Sequence, residues 1–266
     1  MQSLKRAAAA LLFVPCSLGL AGGIADTWDA TAEFSNASGN PNGVWTYGWY
    51  STDFTQFTLM TPYNGADGSP GWTGQIGGDG TPVVYRNTGG GALPFGVPLN
   101  SLALHPGPGG QAAALRWTCP AGVTGIASIT GQFLPGDGGQ MQVAVRIDGV
   151  EQFHAADSGA FALCQQIQPG TSIEFLVYGA YFNGNTPLRA AISTRRCPAD
   201  LGAAGGTPSL CGDGALDNND FIVFITYFFN QNPLADRGVA GGLQGSDGLF
   251  DNNDFIDFIN QFFDGC

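Results

Sequence analysis

The sequence predicts a mainly β protein: an N-terminal jelly-roll β-sandwich followed by a small C-terminal α module of two duplicated loop-helix repeats. Three observations predict it. Short runs of alternating apolar and polar residues recur between turn signals over residues 26–194. The 266 residues include 42 Gly and 16 Pro, which favour a turn-rich β chain, while 44% hydrophobic content supplies a core and 11% charged content excludes a disordered acidic chain. The end of the chain repeats itself: a shift of 34 positions lays Phe221, Ile222, Phe224, Ile225, Phe228 and Phe229 on Phe255, Ile256, Phe258, Ile259, Phe262 and Phe263.

Residues 1–25 read as a secretory signal. Lys5 and Arg6 precede an apolar run from Ala7 to Leu20, and small residues end at Gly23-Ile24-Ala25. The run is too short, and too interrupted by Pro15, to span a bilayer. Pro15 directly before Cys16 argues against lipidation of that cysteine. A secreted or surface-attached protein is expected, with no membrane span.

The sandwich is expected over 26–194, with about eleven strands at 28–34, 44–50, 54–60, 82–86, 99–104, 112–118, 125–134, 141–147, 159–164, 172–178 and 188–193. Gln142 to Val150 alternates cleanly and turns at Asp148-Gly149, a hairpin signal. Trp45, Tyr47 and Trp49 fall at alternate positions of one strand, with Trp72 and Tyr85 nearby in sequence. Such a row stacks on sugar rings if it is exposed; buried core is the commoner fate of three aromatics on one face.

Catalytic groups are sparse, so no enzyme is expected. Glu151 and His154 have an odd separation, which points them to opposite faces of a strand. Glu174 could be half of a glycosidase pair, but alternation in Ile173-Glu-Phe-Leu-Val-Tyr178 makes it an ordinary exposed position. No Gly-x-Ser-x-Gly elbow and no His-Glu-x-x-His helix occurs. His105 beside Pro106 reads as a structural loop residue, Arg116 as a paired or stacked strand residue, and Asp67-Gly68, Asp79-Gly80 and Asp137-Gly138 as turns. With Leu104-His105-Pro-Gly, Leu115-Arg-Trp-Thr and Gly125-x-x-x-Ile129-x-Gly131-x-Phe133, this half resembles jelly-roll modules of secreted bacterial proteins and carbohydrate-binding modules. The resemblance is largely architectural; it implies sugar binding.

The second domain is expected over 195–266, with repeats at 200–230 and 236–264. From Cys197 onward ten Asp face the single Arg237, a net charge of −9, so cations rather than nucleic acid are the implied partners. A hard cation such as Ca²⁺ takes about 6–8 oxygens. Asp213, the Ala215 carbonyl, Asp217 and Asp220 have the spacing of the second half of an EF-hand loop, as do Asp247, the Leu249 carbonyl, Asp251 and Asp254. The first half does not match: Ser209, Cys211, Leu243 and Gly245 stand where early ligands would be. Asp200 and Asp236, each followed by a Gly-rich stretch that can loop out and return, are expected to supply the missing first ligand. Two calcium sites are therefore expected. The alternative is that the Asp and Asn residues merely cap two helices.

One helix after each loop, Asp at the last loop place, and the enclosing Cys197-Pro-Ala-Asp200 and Gly265-Cys266 resemble a dockerin, in its Gly-Cys-terminated variant from planctomycete-type secreted proteins. The resemblance covers the last quarter of the chain. It implies calcium binding and docking onto a cohesin-like protein, a setting associated with polysaccharide breakdown, and it places the partner-reading pairs at Asn218-Asn219 and Asn252-Asn253. Identical pairs imply two equivalent docking orientations. Phe221, Phe224, Ile225 and Phe228, like Phe255, Phe258, Ile259 and Phe262, repeat at helical spacing and are expected to pack helix on helix. Ile222, Ile256, Phe229 and Phe263 widen that stripe toward a docking face, and Asp257 in the place of Val223 is taken to mark the outward side.

Without the signal, five cysteines remain, in a compartment where disulfides persist. Cys197 and Cys266 bracket the repeats, and a bridge between them would contribute about 4 kcal/mol through chain entropy. Cys119 and Cys164 then pair by default, which leaves Cys211 alone. The sequence thus describes an exported, non-catalytic protein in which a sandwich that binds carbohydrate is anchored by a calcium-dependent docking module. A divergent polysaccharide-degrading enzyme on the same anchor, or a structural envelope protein, are the alternatives.

Overall fold

The computed structural model describes residues 26–65, 68–93, 95–194 and 197–265; the expected signal lies outside them. The β strands of the first domain are β1 Thr27–Asp29, β2 Trp45–Tyr50, β3 Phe57–Leu59, β4 Thr61–Asn64, β5 Pro70–Thr73, β6 Val83–Arg86 and β7 Leu102–His105. They continue as β8 Ala112–Thr118, β9 Gly125–Phe133, β10 Met141–Ile147, β11 Val150–Ala156, β12 Gly159–Ile167, β13 Ser172–Gly179 and β14 Thr186–Thr194. One sheet runs β12-β9-β14-β7-β6-β5-β4, with β1 also paired to β14; the facing sheet runs β11-β10-β13-β8-β2-β3. This is the two-sheet sandwich that the alternation predicts.

Period-two patterning sets which face is buried. In β10, Met141, Val143, Val145 and Ile147 enter the core while Gln142 and Arg146 do not. β10 passes to β11 through Asp148 and Gly149, both at positive φ (48° and 79°), as the tight hairpin requires. β11 itself escapes the sequence pattern because it is a mostly exposed edge strand. β4 and β5 escape it because they are short and carry Pro and Gly. Three expected strands shrink, the run 99–104 beginning only at Leu102 after Asn100 at φ 62°. After Asp29 the chain leaves the sheet because the Asp29 carboxylate accepts from Thr31 N and Ala32 N, both at 2.8 Å, and turns it. Residues 51–56 form a turn with Phe54 at φ 57°, so only Phe57–Leu59 of the run 54–60 is strand.

The second domain is two copies of a small hairpin followed by a helix: β15 Gly202–Ala203, β16 Thr207–Pro208 and α1 Asn218–Phe229, then β17 Gly238–Val239, β18 Leu243–Gln244 and α2 Asn252–Asp264. Asp217 and Asp251 are the N-caps, and Asp220 and Asp254 complete capping boxes by accepting from the cap backbone. Phe224 stacks on Phe258 with ring centroids 4.1 Å apart, at the centre of a core that includes Val223, Leu201 and Ala235. Neither unit could bury this stripe alone.

Two expectations are corrected here. Asp257 faces inward, not outward: it is 3% exposed and its Oδ2 lies 3.1 Å from Arg237 Nε. Leu201 and Val223 pack together in the first repeat; Arg237 and Asp257 occupy the matching places in the second, so an apolar pair has been exchanged for an ion pair. Cys119 and Cys164 are not joined. Cys119 is a free, buried core residue, whereas Cys164 on β12 faces outward with Ala162 and Gln166, alternating with inward Phe161, Leu163 and Ile167, and it bonds to Cys211. The bridge ties the first repeat to the edge of the larger sheet. Cys197 is disulfide-bonded; its expected partner Cys266 lies outside the described residues.

Candidate functional site

The aromatic row is not a sugar platform. Trp45 is 1% and Tyr47 0% exposed, Tyr47 stacks on Trp72 at 5.3 Å, and half-buried Trp49 packs against the same core. Burial pushes the Tyr47 hydroxyl up to about 12. The commoner fate of such a row is the one realised.

Glu174 also departs from its expected exposed place. It is 1% exposed on the outer face of the smaller sheet, because residues 51–57 fold Phe54 and Phe57 over that face to join Tyr50 and Tyr178. Its Oε1 accepts from Tyr50 Oη at 2.6 Å and from Arg116 Nε at 2.8 Å, and its Oε2 lies 4.0 Å from Arg146 Nη1. The Arg116 guanidinium sits 3.8 Å from the Phe57 ring centroid. This arrangement neutralises a buried carboxylate; it does not free one for acid catalysis.

A polar cleft of about 290 Å³ opens on the outer face of the larger sheet, lined by Asp29, Thr31, Leu99, Asn100, Ser101 and Arg189. Topology places it. One edge of β14 pairs with β7 through Thr186 to Leu188 and with β1 through Ala191 to Ser193, so Arg189 stands where the edge passes from one partner to the other. Leu188 and Ala190 point into the core, which turns Arg189 outward. The lining offers a cation, a carboxylate, an amide, two hydroxyls and one exposed apolar surface. Its size is at the lower end of the roughly 300–1,000 Å³ of ligand clefts. Nothing in the sequence patterns marks this set, since its members come from three separate segments.

In the second domain the chain does loop out and return. Asp200 Oδ1 accepts from Asp213 N at 3.0 Å and Oδ2 from Gly214 N at 2.9 Å; Asp236 repeats this with Asp247 N at 3.0 Å and Gly248 N at 2.9 Å. The Asp236 carboxyl is held below its ordinary range: slight burial pushes it up, and hydrogen bonds from Ser246 Oγ and the two amides outweigh that. Asp213 and Asp247 are exposed and accept from Ala215 N and Leu249 N. Asp217 and Asp251 cap their helices. The donor types are those that suit calcium. Among the described residues, no three Asp, Glu, His or Cys groups gather to hold an ion.

The four asparagines divide. Asn218 and Asn252 are exposed, whereas Asn219 Oδ1 accepts from Gly206 N at 2.9 Å and Asn253 Oδ1 from Gly241 N and Gly242 N at 3.2 Å each. Exposed apolar residues flank them in matching pairs: Ile222 and Phe229 at 47% and 75%, Ile256 and Phe263 at 45% and 78%. No helix among the described residues is long and apolar enough to cross a membrane.

No protein-family model matches the sequence, and no curated protein matches it. Among solved structures, the chain is similar to a family 35 carbohydrate binding module from Clostridium thermocellum, with 9% identity and a TM-score of 0.24 over 32% of this chain and 72% of that one. It is also similar to the family 35 module from Paenibacillus barcinonensis, with 8% identity and a TM-score of 0.27 over 64% and 99%. A family 29 carbohydrate binding module aligns with 14% identity and a TM-score of 0.29 over 65% and 90%. Superpositions this loose say nothing about ligand or site residues.

Proposed function

We propose that the protein is exported and non-catalytic, with a sandwich that binds carbohydrate and a C-terminal pair of loop-helix units that docks it onto a cohesin-like protein outside the cell. The observation that carries this reading is the duplicated apolar face. Ile222 with Phe229 and Ile256 with Phe263 lie at helical repeats, are left uncovered by the helix-helix core, and stand on a body with a net charge of −9. A globular unit has little reason to expose two such matching faces unless another protein covers one. The polar cleft at Arg189 supports the carbohydrate half, since hydroxyls, an amide and charges of both signs beside one apolar side chain are groups that a sugar ring can satisfy.

One paired experiment tests both halves. The oxidised protein is titrated with a panel of plant and bacterial polysaccharides and, separately, with an immobilised cohesin domain. Arg189→Ala with Asn100→Ala is expected to weaken the best sugar about tenfold and leave docking unchanged, and Phe229→Asp with Phe263→Asp to do the reverse. Binding of wild type to neither class of partner would sink the reading; hydrolysis of a polysaccharide would favour the enzyme alternative.

A further inference from the structure

Each repeat closes on itself through one buried carboxylate. Asp220 is 0% exposed, and its Oδ1 accepts from Leu201 N at 2.7 Å and Gly202 N at 2.8 Å while its Oδ2 accepts from Asp217 N at 2.9 Å. Asp254, also 0% exposed, does the same with Arg237 N at 2.7 Å, Gly238 N at 2.9 Å and Asp251 N at 2.9 Å. These are the last loop places, where a calcium loop would turn both oxygens toward the ion. Here three amides stand around each carboxylate instead.

The backbone is shaped for that contact. A Cβ on Gly202 would come within 2.6 Å of Asn219 C, and one on Gly238 within 2.1 Å of Asn253 O, so glycine is what lets the hairpin reach the helix N-terminus. Asn219 and Asn253 extend the grip to the far side of the hairpin through Gly206 and through Gly241 and Gly242. Asp200 and Asp236 close the other end by holding the two amides of the Asp213-Gly214 and Asp247-Gly248 turns. The two repeats differ in insertion length and in the residue before the glycine, Leu201 against Arg237, yet the bonding is the same. Clustered backbone N–H groups carry partial positive charge and are a known way of holding an anion.

We infer that backbone amides take the place of the cation in both repeats, so that Asp220 and Asp254 staple each hairpin to its helix and the module folds without calcium. This reading and the two calcium ions expected from the loop spacing make opposite predictions. The full oxidised chain, stripped with chelator, is compared with the same protein in millimolar calcium by amide hydrogen exchange and scanning calorimetry. The N–H groups of Leu201, Gly202, Arg237 and Gly238 are expected to be protected in chelator, and calcium to leave the melting temperature within about 1 °C. Asp220→Asn and Asp254→Asn, in which an amide replaces one acceptor oxygen, are expected to lower it by about 2–4 °C. Asp213→Ala and Asp247→Ala, at exposed ligand places, are expected to leave it unchanged.

Protection that appears only with calcium, or saturable calcium binding lost in Asp213→Ala, would overturn the inference and restore the metal sites. The wild-type exchange pattern decides the matter even if the Asp220 variant fails to fold.

Discussion

The environment of Glu174 shows how much of a residue's role its neighbours decide. Alternation alone places Glu174 on an outer face, which is correct, but outer did not mean exposed: the turn at 51–56 lays Phe54 and Phe57 over it. No local pattern announces a turn that folds back across a sheet, so the Arg116–Glu174–Arg146 group was illegible although each strand was read. Glu174→Ala would leave two partly buried guanidinium groups facing each other without a counter-charge. A loss of about 2–4 kcal/mol is expected by urea unfolding, toward the lower end because both arginines reach solvent. A loss below about 0.5 kcal/mol would show that the network is incidental. The Trp45, Tyr47 and Trp49 row is the opposite case, since its core position follows from its apolar character alone once a facing sheet exists.

Among the elements, most strands and the two Phe-rich helices were legible, while β4 and β5, short and interrupted by Pro or Gly, and the edge strand β11 were not. The repeats' shared hydrogen bonds were half legible: the spacing identified the carboxylates, but a hairpin's amides cannot be located from a Gly-rich stretch. The cysteine pairing failed for a topological reason. Sequence order makes Cys119 and Cys164 neighbours within one domain, but one enters the core and the other faces out at the sheet edge, where Cys211 arrives. Joining residues 47 apart, that bond is expected to contribute about 4 kcal/mol through chain entropy. Cys164→Ser, Cys211→Ser and the double variant should therefore lose stability by the same amount in guanidinium unfolding. Unequal losses would mean that one side chain matters by its packing.

For the whole molecule, the carboxylates predict how the fold responds to acid. Asp236 and Asp79 are both held below their ordinary range; in Asp79 burial acts upward, and hydrogen bonds from Tyr181 and Thr81 outweigh it. A group depressed in the folded state adds stability above its unfolded value, near 3.9, and loses it as pH falls through the lower folded value. Melting temperature is thus expected to fall on acidification below about pH 4, and less steeply in Asp79→Asn with Asp236→Asn. An identical acid slope in that variant would place the sensitivity elsewhere. The same Cys164–Cys211 bond has a mechanical consequence. In the larger sheet β12 and β14 lie on either side of β9. Were the protein moored as proposed, by its helices to a support and by its cleft to a polymer, the pull would enter that sheet twice, along the chain that continues from β14 and across the bridge into β12. The strand between them is gripped from both sides, so flow or drag would have to shear two ladders together instead of peeling one strand at a time.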